Sequence, residues 1–336
     1  ILEIAFDFKQ KKIIVPISIS LFFIVTVIGF LPITTGVLFG GMYQTSAIIV
    51  LMKNILNVGV LIILLQSAGW LFSNDTYTDN IGGHFFILLA SLAGMNYMIS
   101  SGDFLMFYLG LELATIPIAA LVASEKLKLK SAEAGTKMIL SAILSSGVLL
   151  YGISMLYGTN GSVFFSEIAS TLKFTNLQVL AFIFIFTGIA FKISIVPFHL
   201  WTADVYEGAP INITSYLSSI SKAASVFILV ILLFTVFRTF EVIWNDVLFY
   251  TSILTMTIGN LFAIRQQNIK RYLAFSSIAQ AGFIPLGIIG GSEIGFTAVV
   301  YFILIYVFSN LGAFGVAAVI SNAKGKESIS DYNGLY

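Results

Sequence analysis

The sequence contains no cysteine, only two histidines (His84 and His199), six prolines, and charge on just 10% of its 336 residues. The missing cysteines exclude disulfides and any iron–sulfur cluster held by thiolates. Two histidines without metal-ligand spacing leave no pattern suited to zinc. No GxGxxG follows a strand pattern, and Gly325-Lys326 is followed by Glu327 rather than the Ser or Thr of a phosphate-binding loop. No cofactor is therefore expected on this chain, and no nucleic acid among its partners. The scarcity of charge excludes more. An average soluble domain carries about 25% charged residues, whereas here hydrophobic residues reach 58% and the mean hydropathy is +0.99. Most of the chain must face lipid or other apolar helices.

Apolar runs of about 18 residues or more are long enough to cross a bilayer as helices. Ten are present: 13–31, 46–69, 83–100, 104–123, 132–157, 177–201, 211–236, 247–264, 272–290 and 296–320. Backbone groups in hydrocarbon must be paired within their own segment or in a closed barrel, and runs this long and continuous are not barrel strands. The fold class is thus all-α, a polytopic transmembrane helix bundle. With ten crossings, four basic clusters fall on one side: Lys9/Lys11/Lys12, Lys126/Lys128/Lys130, Arg265/Lys270/Arg271 and Lys324/Lys326. The opposite loops hold only Lys173 and Arg238. The richer side is expected to be cytoplasmic. Trp70, Trp201 and Trp244 lie at span ends, where interfacial anchors belong. The chain starts at Ile1 without an initiator methionine or a cleavable signal, and both ends read as boundaries within a longer polypeptide.

Four basic residues remain inside spans, Lys53, Lys137, Lys192 and Lys222, with Glu112 near the middle of another. Each charge at such a depth costs roughly 2.5–3.5 kcal/mol on insertion scales. Lys53 has a long stem that can snorkel. Lys137 has Glu133 one turn earlier, so a local ion pair is the plain structural alternative. Lys222 cannot easily reach water, and Thr214, Ser218, Ser221 and Ser225 share its helical face as a polar stripe able to hold water; a buried lysine satisfied by hydroxyls is the plain structural alternative. Glu112 has Tyr108 and Thr115 on its face and Pro117 five residues later. Lys192 has Pro197 five residues later and His199 two turns away. Prolines inside spans free backbone carbonyls and mark broken helices, a recurring way to build ion sites. The plain structural alternative to an ion site is a Glu112–Lys192 ion pair that holds the helices together.

The stretch Tyr108-Leu-Gly-Leu-Glu-Leu-Ala-Thr-Ile-Pro117 resembles the glutamate-bearing helix of the N-type antiporter-like subunit of respiratory NADH:quinone oxidoreductase (complex I). Ser131-Ala-Glu-Ala-Gly-Thr-Lys137 resembles the next helix start, and the run from Gly188 through Lys192, Pro197, His199 and Tyr206 to Pro210 is the strongest match. Ser221-Lys222-Ala-Ala224, Gly259-Asn-Leu, Asn268 through Gly282 and Asp331-Tyr-Asn-Gly-Leu335 continue it in order. The resemblance implies inverted five-helix repeats: residues 1–82 as N-terminal helices, 83–236 as the first repeat, broken near Lys192–Pro197, and 247–336 as an incomplete second. It further implies that Glu112 and Lys192 form a switchable pair and that Lys137 and Lys222 extend a hydrated path with His199 nearby. Tyr108, Ser218, Ser221, Ser225 and Gln280 would support that path, and Pro117 and Pro197 would mark helix breaks. Three departures stand out. Ala203 replaces a usual proline, Ile211-Asn212 a common Thr-Pro, and Gln280 a frequent histidine.

The function so implied is proton translocation in a bacterial inner membrane, as one subunit of an enzyme whose NAD, FMN, iron–sulfur clusters and quinone sit in partner subunits. The expected partners are other membrane subunits and lipid. One pKa unit is worth about 1.4 kcal/mol and moving a charge through 100 mV about 2.3 kcal/mol. A carrier must therefore shift by roughly two units per 100 mV, within the 3–5 units available to buried groups. The rival readings are a Mrp-type sodium/proton antiporter subunit, a non-conducting scaffold and, more weakly, a solute transporter.

Overall fold

The computed structural model describes residues 12–32, 35–73, 80–125, 127–289 and 291–334. Lys9, Lys11 and Lys126 lie outside the described residues. The helices are α1 (Ile14–Ile28), α2 (Ala47–Ser73), α3 (Ile81–Ile99), α4 (Phe104–Val122), α5 (Leu129–Asn160), α6 (Phe165–Thr171), α7 (Asn176–Ile193), α8 (Leu200–Gly208), α9 (Ile211–Thr235), α10 (Glu241–Ile264), α11 (Ile269–Ala281), α12 (Ile284–Ile288) and α13 (Glu293–Lys324). One antiparallel hairpin, β1 (Gly36–Leu38) with β2 (Tyr43–Thr45), precedes α2. Among the described residues eight helices are long and apolar enough to span a membrane: α2, α3, α4, α5, α7, α9, α10 and α13.

Local chemistry explains several boundaries. Asp103 accepts the Met106 amide at 2.6 Å to start α4, Asn268 accepts from Lys270 and Arg271 to start α11, and Ser292 accepts from Gly295 to start α13. At the other end of α5 and α13, Gly161 (φ 70°) and Gly325 (φ 65°) take the left-handed conformation that stops a helix.

The two sides inferred from charge are two ends of the bundle. At one end Lys130 pairs with Glu207 (2.9 Å), Arg271 with Asp204 (2.7 Å) and Glu207 (3.0 Å), and Lys270 with Glu327 (2.9 Å). Lys12 Nζ reaches the Phe72 carbonyl there as well. At the other end the hairpin docks on the α3–α4 turn, with Gln44 N–H donating to the Ser100 carbonyl and Gly102 N–H to that of Met42 (both 2.7 Å). Phe174 and Phe240, next to Lys173 and Arg238, meet there at 5.2 Å.

Two spans are not single helices. α7 ends at Ile193, where Ser194 adopts φ 67°, and the chain restarts as α8. The Ser194 and Thr202 hydroxyls bond at 2.7 Å across this break. The span read as 272–290 is also divided, with Gly282 and Phe283 separating α11 from α12. Pro117, by contrast, does not break its helix: α4 runs through it. A proline in a helix removes one backbone bond and crowds the preceding turn, but neighbouring helices hold the ends of α4 in line. The tryptophans also differ from lipid anchors. Trp244 is 1% exposed and donates to the Phe237 carbonyl (3.1 Å), and Trp70 is buried. Each indole N–H needs an acceptor once the ring is buried, and the packed helix end supplies one for Trp244.

The α3–α4 pair packs most closely. A Cβ on Gly110 would lie 2.6 Å from the Met98 amide nitrogen, and one on Gly94 would lie 2.4 Å from that of Ala114. Backbone faces backbone, so no side chain can yield. Gly110→Ala is expected to destabilise the subunit by about 1–3 kcal/mol, lowering the melting temperature of the detergent-solubilised protein. An unchanged melting temperature would show that the helices separate freely.

Candidate functional site

α4 and α7 bring Glu112 and Lys192 to one small cavity of about 10 Å³, lined also by Thr115, Ser145, Ser146 and Gly188. That is at the lower limit for one water molecule. The Lys192 ammonium donates to the Thr115 hydroxyl, which itself donates to the Leu111 carbonyl at 2.5 Å. Glu112 Oε1 is buried without a hydrogen-bond partner. No hydrogen bond between Glu112 and Lys192 occurs among the described residues, so the simple ion pair is replaced by a lysine parked on a threonine beside a free carboxyl oxygen. Tyr108 lies against Glu112 and Ser146. Ser145, which bonds the Gly188 carbonyl (3.3 Å), and Ser146 escaped the sequence reading because nothing along the chain ties them to Lys192.

Lys222 is 1% exposed on α9, the most enclosed helix of the bundle. Its ammonium donates to Ser277 Oγ at 2.8 Å and to the Ser277 carbonyl at 3.2 Å, and it stands 5.9 Å from the Tyr206 ring centroid. Its ligands are neutral. The hydroxyl stripe expected along its own helix does not serve it. Residues Leu217–Ser221 form a π-helical turn, and one additional residue rotates everything after it by about 100° relative to a regular α-helix. Thr214 bonds the Tyr206 and Pro210 carbonyls, Ser218 that of Ser215, and Ser225 that of Ser221, so these hydroxyls are turned to backbone. Ser221 is buried in the π turn, and among the described residues Lys222 donates to Ser277 rather than to it.

The other candidates fall into separate places. Lys137 is not in the buried line. It is 43% exposed and forms ion pairs with Glu133 (2.6 Å) and Asp204 (2.7 Å) at the basic end of the bundle. A lysine about two turns into a helix can bend its stem to that end, and α8 brings Asp204 to meet it. His199 caps the start of α8, buried, with Nδ1 unpartnered. Gln280 Oε1 lies 3.5 Å from Asn310 Nδ2, beside the α11–α12 break. Asn212, one of the departures, ties α9 to α2 through Ser67 (3.2 Å). Lys53 donates to the Tyr43 hydroxyl at 2.7 Å in the hairpin. Partial burial alone would raise the Tyr43 phenol, but Lys53 with the Ser100 and Thr45 hydroxyls holds it below its ordinary value. Among the described residues no group of three His, Asp or Glu side chains could hold a metal.

The chain is similar to known proteins along most of its length. Residues 101–336 fit the family model described as NADH:quinone oxidoreductase/Mrp antiporter, transmembrane. The chain is 51% identical over 301 residues to NADH-quinone oxidoreductase subunit N of Phocaeicola vulgatus, covering 89% of this chain and 63% of that protein. To the subunit N of Azobacteroides pseudotrichonymphae it is 49% identical over 331 residues, covering 98% and 69%. The chain thus spans about two thirds of these relatives' length. A chain of respiratory complex I from Thermus thermophilus shares the fold, with a TM-score of 0.75 at 24% identity over 94% of this chain and 67% of that one. With buried lysines on a broken and a π-kinked helix, and with these matches, the chain belongs to the transmembrane family of NADH:quinone oxidoreductase and Mrp antiporter subunits, among the N-type members.

Proposed function

We propose that this chain translocates protons as part of the N-type membrane subunit of a NADH:quinone oxidoreductase in a bacterial inner membrane. Redox energy released in partner subunits, which hold the NAD, FMN, iron–sulfur and quinone sites, would move charge along a line from Glu112 through Lys192 to Lys222. The observation that carries this reading is the neutral shell of Lys222. A lysine kept for structure in hydrocarbon is expected to own a carboxylate, because an unpaired buried charge is costly. One held by a hydroxyl, a carbonyl and a ring face can lose its proton without stranding an anion.

In this reading His199, beside the break at the start of α8, Tyr108 and Gln280 border the line, and Lys137 supplies charge at its cytoplasmic mouth. The repeat boundaries at residues 83 and 247 are supported by matched packing. Gly94 and Gly110 close α3 on α4, as Gly259, where an added Cβ would lie 2.6 Å from the Ala279 amide nitrogen, closes α10 on α11. The strong identity to subunit N relatives favours the oxidoreductase over a Mrp-type antiporter. Purification of the tagged chain from its own membranes in mild detergent tests this. Co-elution with flavin and iron–sulfur proteins that reduce quinone is expected. Co-elution with hydrophobic subunits alone, and sodium-dependent proton exchange, would replace the oxidoreductase reading by the antiporter.

A further inference from the structure

α10 enters the protein interior along a single stripe: Trp244, Leu248, Ser252, Thr255, Gly259 and Ala263. Spacings of four, four, three, four and four keep these residues on one helical face. Two of them carry hydroxyls, both 0% exposed, and each is bonded to a helix break. Thr255 Oγ1 accepts the backbone N–H of Val196 at 3.0 Å, in the segment between α7 and α8. Ser252 Oγ donates to the carbonyl of Gly282 at 2.6 Å, at the junction of α11 and α12. The Thr255 proton is already committed to the Thr251 carbonyl (2.5 Å), so its oxygen is held as an acceptor facing Val196.

The two breaks lead to the two lysines. Val196 follows Lys192 by four residues, and Gly282 follows Ser277, the group that holds Lys222, by five. Between them α10 has no slack against α11. A Cβ on Gly259 would lie 2.6 Å from the Ala279 amide nitrogen, and one on Gly282 would lie 2.9 Å from that of Met256. A packed helix interface without clearance shifts as a body rather than deforming continuously.

We propose that α10 is a strut coupling the break beside Lys192 to the helix that holds Lys222, with Thr255 and Ser252 as its positioning residues. This rests on the proton-translocation reading above. When Lys192 changes its charge or its partner and the α7–α8 break moves, Val196 carries Thr255 with it. Ser252, three residues away on the same stiff helix, then moves Gly282 and with it the Ser277 ligand of Lys222. The device exchanges hydrogen bonds only, and no other chemistry is required of it.

The test uses the whole complex in membrane vesicles, recording NADH-driven quinone reduction and proton uptake together. The variants are Thr255→Val, Ser252→Ala, the two combined, and Thr255→Ser, with assembly checked on native gels. Quinone reduction in the presence of an uncoupler is expected to stay near the parental rate. Proton uptake at matched quinone reduction is expected to fall roughly 2- to 30-fold in each single variant, the range of mutations that act on coupling alone. The double variant is expected to be no worse than the poorer single one, since both residues lie on one connection. Thr255→Ser restores uptake. Parental uptake in Thr255→Val, or losses that multiply in the double variant, would overturn the strut. If Thr255→Val does not assemble, Ser252→Ala decides alone by the same criterion. Lys222→Met in the same assay separates the two levels. Parental pumping there defeats the translocation reading, whereas lost pumping there with parental strut variants defeats only the strut.

Discussion

Lys192→Arg is expected to impair proton translocation nearly as severely as Lys192→Ala, by on the order of 10²-fold, the scale of a lost proton-transfer group. Arginine preserves the positive charge and a similar reach. If Lys192 served only to balance Glu112, the substitution would be tolerated. A carrier, however, must release its proton in every cycle, and a guanidinium stays protonated in proteins. The geometry sharpens the contrast. The lysine is held by Thr115, not by a carboxylate, so nothing in its immediate shell demands a permanent charge. Glu112→Asp keeps a titratable carboxyl and is expected to retain more activity than Glu112→Gln. The measurement is proton uptake with NADH-driven quinone reduction in vesicles, with assembly checked on native gels. An arginine variant that pumps like the parent would reduce Lys192 to the source of a field.

Lys222→Met is expected to produce a comparable loss of pumping with assembly intact. Methionine has nearly the length of lysine and fills the same apolar sheath. Removing a lone buried charge also removes its desolvation cost, so thermal stability is expected to hold or rise while translocation fails. That opposition separates a functional lysine from a structural one, whose loss would lower both together. Ser277→Ala, which removes the 2.8 Å ligand but leaves the backbone carbonyl, is expected to fall between parent and Lys222→Met. Parental proton uptake by the methionine variant would return Lys222 to the fabric of the bundle.

Much of the architecture was legible along the chain. Hydrophobic runs located the spans, because length and apolarity decide whether a helix can cross a bilayer, although the runs at 177–201 and 272–290 are broken helices and α10 begins six residues before its run. The parity of the basic clusters located the two ends correctly, and Lys130, Lys270 and Arg271 do meet carboxylates at one of them. Lys192 and Lys222 were singled out because lysine in an apolar run is expensive wherever it occurs. Their surroundings were not legible. Ser277 lies 55 residues from Lys222, and Thr115 lies 77 from Lys192. Neither distance has a periodicity to betray it.

The failures have a common origin. The Thr214–Ser225 stripe assumed a regular helix, and the π turn at Leu217–Ser221 spoiled the extrapolation. Pro117 suggested a break where packing keeps α4 whole, whereas Gly282 and Phe283 make a break that the apolar run through Pro285 concealed. Lys137 looked interior by its position in a hydrophobic span, yet Asp204 draws it to the ion-paired end. Residue type and spacing determined, without any coordinates, that this protein lies in a membrane as helices, which end carries the positive charge, and which few ionisable groups are too deep to be accidental. These follow from free energies of transfer, which are local to each segment. Tertiary structure alone decided where helices break within a span and which neutral groups receive the buried lysines. Backbone groups freed at a break must find partners, and in hydrocarbon those partners come from whichever helix packs alongside.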